Sequence, residues 1–284
     1  MKSVFLMGGL GNQLFQIFHL MAYCLRYKHA FKIQYSEVLL TGHKRPTYWN
    51  NFLKGLKIFT QKKLPSLQRL SERGYHYTKV PDIKQDFMFF GYYQSYRYFE
   101  DQYENIIRFV QLEKQQQEMK EKTNLNYDNV ISLHFRIGDY INIQQHHPLM
   151  TIDYYQNCIK YILDHKYSTS SMSETIQILY FNQKEDDTIV EKHITTLKEY
   201  IKTTYSNLNL EFIQSSHDLQ DWEQMLQMSL CHHNIIANST FSWWGAYFNH
   251  AFEDKIVCYP KKWFGPAQGN RNMNDLFPEK WIKV

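Results

Sequence analysis

The sequence predicts an α/β fold: parallel sheet, covered on both faces by helices. From residue 130 onward, short apolar runs alternate strictly with helix-spaced segments. Near the start, an apolar run stops at Gly8-Gly9 and passes straight into a helical pattern. The 284 residues are 43% hydrophobic, enough for one large domain or two of ordinary size.

Taken in order, residues 3–7 read as a strand that ends in a glycine turn. From Gln13 to about Lys28, Leu14, Ile17, Phe18, Met21, Ala22 and Leu25 recur at helical spacing. Phe31–Tyr35 reads as a second strand, residues 41–85 as less regular chain, and Phe87–Phe90 as another strand before a tyrosine-rich stretch that runs to Phe99. Residues 111–124 are the most polar part and read as a solvated helix or a connector between domains. We therefore expect domains at 1–125 and 126–284. In the second, strands are expected at 130–135, 176–181, 210–213, 235–237 and 255–259, with helices at 152–163, 189–200, 222–231 and 241–248. There is no internal repeat. Sheets of this kind bind ligands outside the carboxyl ends of their strands.

Composition narrows the function. A net charge of +4 is too slight to point to nucleic acid but suits an anionic small molecule. Aromatic residues make up 17% of the chain, which suits stacking on sugar faces, although a bias toward Tyr, Phe, Lys, Asn and Ile is the better explanation of the composition alone. Cys24, Cys158, Cys231 and Cys258 form no CxxC motif and read as buried thiols in a reducing compartment. There is no HExxH and no D-x-D triplet. Glu185-Asp186-Asp187 comes nearest, so neither a zinc site nor a metal–diphosphate clamp is indicated. No apolar run is long enough for a signal peptide or a transmembrane segment. The expectation is a soluble cytoplasmic protein, or the soluble part of an anchored one.

Three segments carry chemistry. In GGLGNQ (8–13) the glycines let a ligand approach the backbone, and Asn12 and Gln13 can donate to and accept from sugar hydroxyls; a plain tight turn is the alternative. In HFRIGDY (134–140), Arg136 emerges at a strand end, where a guanidinium can neutralise a diphosphate with two parallel bonds; the alternative is a structural Arg136–Asp139 pair. His134 fits a satisfied core histidine, and Asp139 fits a turn-former better than a catalytic base. In NSTFSWWGAYF (238–248), Asn238, Ser239 and Thr240 suit helix capping, and the same geometry makes an anion site. Ser239, Thr240, Phe241 and Ser242 would then hold phosphate oxygens, while Trp243 and Trp244 read as packing residues.

At these segments the chain resembles the bacterial and viral branch of the α-1,2-fucosyltransferase family, glycosyltransferase family 11. The resemblance extends to Gly91-Tyr92-Tyr93-Gln94-Ser95, Tyr98-Phe99, and Met228-Ser229 with Cys231, in ordered blocks from about residue 4 to residue 260. It implies a GT-B-like architecture of two facing Rossmann-type domains, acceptor-side first and donor-binding second. It implies GDP-β-L-fucose as co-substrate, a glycan acceptor, inversion at the anomeric carbon, and neither metal nor cofactor. By the same resemblance Arg136 meets the donor phosphates, His134 the nucleoside, Ser239–Ser242 the diphosphate, and Asn12 the fucose and acceptor; Gln13, Tyr92 and Gln94 fall on the acceptor side. Two positions depart from the family pattern. Ile137 stands where a second arginine is usual, and Gln224 where an acidic residue usually reads guanine, a task for which Asp221 or Glu223 can substitute.

The expected reaction is a single inverting displacement through an oxocarbenium-like state. Arg136 and residues 239–242 stabilise the departing diphosphate, Asn12 and Gln13 orient the sugar or acceptor hydroxyl, and Asp139 is the candidate base. Rival readings are a transferase of another 6-deoxy sugar from a UDP or dTDP donor, such as a rhamnosyltransferase, and a non-catalytic glycan- or nucleotide-binding protein on the same fold. An NAD-dependent oxidoreductase would want a third glycine that GGLGNQ lacks.

Overall fold

Residues 2–4 of the computed structural model lie beside residues 87–89 in parallel register, and a sheet of Rossmann type grows outward from this pair. The structure describes residues 1–168 and 175–284. The chain divides into two units, Met1–Gln117 with Arg271–Glu279, and Glu118–Asn270 with Lys280–Val284.

In the first unit the elements are β1 (Lys2–Val4), α1 (Leu10–Tyr27), β2 (Ile33–Gln34), β3 (Val38–Leu39), β4 (Arg45–Pro46), β5 (Thr60–Gln61), β6 (Gln68–Ser71), β7 (Phe87–Phe90) and α2 (Tyr103–Val110). Strands β1, β7 and β6 form one parallel sheet in the order β1-β7-β6, and β2 pairs with β5. A parallel bridge between Lys2 and Phe31 joins the two sets, so the strands run β5-β2-β1-β7-β6. The direction of winding reverses between β1 and β7. Helix α1 buries nearly its whole circumference, including Leu14, Phe15, Ile17, Phe18 and Met21, against Phe89, Phe99 and Tyr103. Lys2 is buried too; its ammonium donates to the carbonyls of Ile83, at 2.7 Å, and Gln85. Residues 271–279 return to this unit through Asp275, which pairs with Arg97 at 3.0 Å and accepts from Ser95 Oγ at its carbonyl, at 2.6 Å.

Helix α3 (Leu112–Thr123) covers the polar stretch and carries the chain from one unit into the next. The second unit holds β8 (Val130–His134), α4 (Ile152–Lys166), β9 (Thr175–Phe181), α5 (Asp187–Thr204), β10 (Asn209–Gln214), α6 (Asp221–Leu230), β11 (His233–Ile235), α7 (Thr240–Tyr247), β12 (Val257–Tyr259) and β13 (Ile282–Lys283). Its six strands are all parallel, in the order β10-β9-β8-β11-β12-β13. Winding reverses between β8 and β11, the position at which such sheets bind ligands.

Side chains along β8 alternate between the two faces of this sheet. Ile131, Leu133 and Phe135 join the core made with α4 and α5, whereas Val130 joins Leu179, Phe181 and Met228 on the other side. Ile137 continues the first set into the core and is buried there. An arginine at this position would have to hold its charge among isoleucines and tyrosines.

Most expected elements are present with shifted ends; β11, for example, begins two residues before the expected 235–237. The stretch 41–85, expected to be irregular, contains β4, β5 and β6, and α2 and β13 were not foreseen. All four cysteines are buried, unpaired thiols. Among the described residues, no helix is long and apolar enough to cross a membrane.

Candidate functional site

Each unit gathers candidate residues at its own point of reversed winding. In the second unit, HFRIGDY leaves the carboxyl end of β8, and NSTFSWW leaves the end of the adjacent β11. Parallel pairing of His233–Ile235 with Ile131–Leu133 brings the two loops side by side.

Arg136 is held on three sides. Its Nη2 donates to Asp139 at 2.5 Å, its Nη1 to Gln183 at 3.3 Å, and its guanidinium lies 4.8 Å from the Tyr140 ring centroid. The Tyr140 hydroxyl then donates to the carbonyl of Asn238 at 3.2 Å, which ties the two loops together. Gly138 closes the turn at φ +30, and its N–H donates to both carboxylate oxygens of Asp186, at 3.1 and 3.0 Å. The positive φ favours glycine at this turn, and a Cβ at Gly138 would stand 2.2 Å from Gln183 Oε1 and displace that amide. Burial pushes the Asp186 carboxyl up, against the N–H of Gly138 and the charge of Arg136. Gln183 and Asp186 follow β9; the sequence offered no signal for their role, because it exists only once β9 pairs with β8.

His134 points to the α7 side. Its ring lies 5.5 Å from that of Phe241, and burial, aided by Arg136, lowers its pKa to about 3, so it is neutral at physiological pH. Its Nδ1 has no hydrogen-bond partner among the described residues, and the same is true of Asn238 Oδ1. Buried polar atoms are seldom left in that condition without a ligand or water. The amide Nδ2 of Asn238 donates to the carbonyls of Pro148, at 2.9 Å, and Trp263, at 3.2 Å, so this side chain fixes the loop. Ser239 caps α7, its Oγ accepting from Phe241 N at 3.3 Å. Thr240 and Phe241 are half-buried in the first turn; Ser242 is buried and donates to the Ser239 carbonyl at 3.4 Å. The first-turn N–H groups and the helix dipole together suit an anion. Trp243 and Trp244 are fully buried packing residues.

Gln224 and Asp221 lie in the first turn of α6, away from these loops in sequence. Gln224 Nε2 donates weakly to the carbonyls of Ser216 and Leu219, at 3.4 and 3.5 Å, and Asp221 accepts from Trp222 N at 2.7 Å. Glu223 completes a capping box with Gln220 and pairs with Lys122 at 2.6 Å.

In the first unit, the glycine loop follows β1 and the Tyr92–Gln94 segment follows the adjacent β7. Gly8 has φ +79, and a Cβ there would meet Asn12 Nδ2 at 2.4 Å. Asn12 Oδ1 accepts from Gln94 Nε2 at 2.7 Å, and Gln94 Oε1 in turn accepts from the Tyr75 hydroxyl. Tyr93 sits at φ +52, held by Glu72, whose carboxylate accepts from Tyr92 N at 2.8 Å and Tyr93 N at 3.0 Å. Burial pushes the Glu72 carboxyl up, partly offset by those two N–H groups. Tyr92 is exposed. Gln13 is fully buried; its Nε2 donates to the carbonyls of Gly8, at 3.0 Å, and Pro46, at 2.9 Å, which braces the loop, while its Oε1 has no hydrogen-bond partner among the described residues. Tyr75 and Glu72 lay outside the sequence reading because their partners are about twenty residues away.

The chain is 36% identical over 160 residues to the O-antigen biosynthesis glycosyltransferase WbnK of Escherichia coli, an alignment spanning 55% of this chain and 45% of that relative. It is 28% identical to the Alpha-1,2-colitosyltransferase of Escherichia coli over 308 aligned positions, 98% of this chain and 97% of the relative. In fold it is similar to a mutant of Arabidopsis thaliana FUT1 solved in complex with GDP, with a TM-score of 0.50 at 12% identity, covering 98% of this chain and 74% of the other. The paired Rossmann-type sheets place the fold in the GT-B-like class. The family profile of glycosyl transferase family 11 matches residues 3–284, and the chain belongs to that family of glycosyltransferases.

Proposed function

We propose that this glycosyltransferase moves L-fucose from GDP-fucose to a hydroxyl of a glycan, the 2-OH of a galactose, with inversion and without a resident metal. The observation that carries the reading is the emergence of Arg136 and the α7 N-terminus from adjacent strands at one switch point. A guanidinium and a row of helix N–H groups side by side are suited to the charge that develops on a departing diphosphate. The amide of Asn12, oriented through Gln94, suits a sugar hydroxyl. His134 and Asn238 each keep a buried polar atom for which a bound donor, directly or through water, is the expected partner. Asp139 is engaged with Arg136, which favours a positioning role over that of a base.

A second donor is favoured by one specific observation. The relative that aligns along 98% of this chain is named for colitose transfer, so GDP-linked colitose competes with GDP-fucose for the assignment.

The test is a donor screen read by mass spectrometry on galactose-terminated glycans, with GDP-fucose, GDP-colitose, and UDP- and dTDP-linked L-rhamnose. We expect the acceptor to gain one deoxyhexose from GDP-fucose, in the presence of a chelator. Transfer from the UDP or dTDP donors alone would overturn the GDP assignment. Binding of donors with no transfer to any acceptor would support the non-catalytic alternative.

A further inference from the structure

Residues 28–69 carry nine lysines and arginines against a single acid, Glu37, although the whole chain has a net charge of only +4. The rest of the molecule is therefore net acidic, and the positive charge is concentrated in one stretch of the first unit. The same stretch holds the two most exposed large hydrophobic side chains among the described residues, Leu40 at 79% and Ile58 at 72%.

Hydrogen bonds and a ring contact tie this stretch together. The Lys32 ammonium donates to the carbonyl of Ile58 at 3.1 Å, and Tyr35 N donates to Gln61 at 2.8 Å, across the β2–β5 pair. Lys57 lies 5.7 Å from the Tyr35 ring, and Thr47 ties the β3–β4 hairpin back to Ser36 at 2.6 Å. Leu40 lies in the turn of that hairpin, and Ile58 is on the short helical turn Lys54–Phe59. Lys54, Lys57, Lys62 and Lys63 are all exposed around Ile58.

From this combination we infer that the face formed by the β3–β4 hairpin and residues 54–63 docks on an anionic lipid bilayer. Lysines at a membrane surface are attracted to anionic headgroups, and exposed aliphatic side chains between them enter the headgroup boundary. A nucleic acid would use the lysines, but a phosphate backbone gains nothing from Leu40 and Ile58, which is why the lipid surface fits better. The surface runs up to Pro46, whose carbonyl accepts from Gln13 of the glycine loop at 2.9 Å. Docking would therefore take place beside the loop that carries Asn12.

The experiment is co-sedimentation of the full chain with phosphatidylcholine vesicles, with and without phosphatidylglycerol. We expect binding only to the anionic vesicles, weakening as salt rises. The charge-reversal pair Lys54→Glu with Lys57→Glu should weaken partitioning by at least about 25-fold, about fivefold for each lysine lost and more for the acids gained. Leu40→Ser with Ile58→Ser should weaken it by about tenfold or more at unchanged net charge. Both pairs lie on the surface, and thermal unfolding of each variant verifies its fold. No binding to anionic vesicles would overturn the inference. So would lysine-dependent binding indifferent to Leu40 and Ile58, and equal binding to a single-stranded oligonucleotide would then identify a generic polyanion surface.

Discussion

The hydroxyl of Tyr140 donates to the carbonyl of Asn238 across 3.2 Å, and through this bond the loop after β8 holds the loop after β11. The same ring carries the Arg136 guanidinium 4.8 Å from its centroid. Tyr140→Phe keeps the ring and removes only the bond. We expect a loss of about 1 kcal/mol in chemical denaturation and a several-fold rise in donor KM. Tyr140→Ala also removes the cation–π contact and should lower turnover further. Identical kinetics for the two variants would show that the ring does not position Arg136.

Arg136→Ala should reduce turnover by about 10²-fold or more if the guanidinium meets the leaving diphosphate. Arg136→Lys keeps the charge but loses the planar fork that reaches Asp139 and Gln183 together, so about a tenfold loss is expected. Asp139→Asn separates two roles. As a partner of Arg136, its loss should cost less than about tenfold; as the general base, its loss should cost about 10²-fold or more. Steady-state rates of the variant distinguish the two.

Gly138→Ala places a Cβ where Gln183 Oε1 now lies, 2.2 Å away, at a φ of +30. Gln183 must move, and its bond to Arg136 goes with it. We expect a loss of about 1–2 kcal/mol in stability together with a fall in turnover. A Gln183→Ala background should relieve the steric part of the stability loss and leave the turnover defect. A fully active Gly138→Ala protein would disprove the clamp.

Three histidines, His19, His134 and His233, are buried with pKa values lowered to about 3, in each case chiefly by burial. In the unfolded chain each protonates near 6.5. Between pH 6.5 and 3 the unfolded state therefore binds more protons, and stability falls as pH falls through that window. The loss between pH 7 and pH 5 is about 2 kcal/mol for each histidine, in a range where ordinary carboxylates are still ionised. Urea denaturation at the two pH values measures it, and equal stability would rule out the buried neutral assignment.

The alternation of strands and helices after residue 130 was legible because fully buried parallel strands are continuous apolar runs, as in Val130–His134. Strand β6 was not, because Gln68–Ser71 is mostly exposed and shows no apolar alternation. The motif loops could be read from residue type at strand ends. What could not be read were the residues that hold them, since Gln183, Asp186, Glu72 and Tyr75 meet their partners only through strand pairing. Gln13 is among the buried positions of α1, and its amide nitrogen braces the glycine loop against the carbonyls of Gly8 and Pro46.

Gln94 Nε2 donates to Asn12 Oδ1 at 2.7 Å, which fixes that oxygen as an acceptor and turns the Asn12 amide nitrogen toward Gly8. Gln94 is itself oriented by the Tyr75 hydroxyl. Gln94→Glu replaces the donor with an acceptor, so Asn12 must rotate its amide or lose the bond. If Gln94 acts through Asn12, this variant should lose about tenfold in kcat with little change in acceptor KM, and Asn12→Ala combined with it should add nothing further. If Gln94 instead touches the acceptor, KM should rise and the two substitutions should add. Tyr75→Phe frees the Gln94 amide and should reproduce part of the kcat loss, about threefold, the cost of one neutral hydrogen bond of modest strength. A double-mutant cycle on kcat and KM separately decides between the two roles.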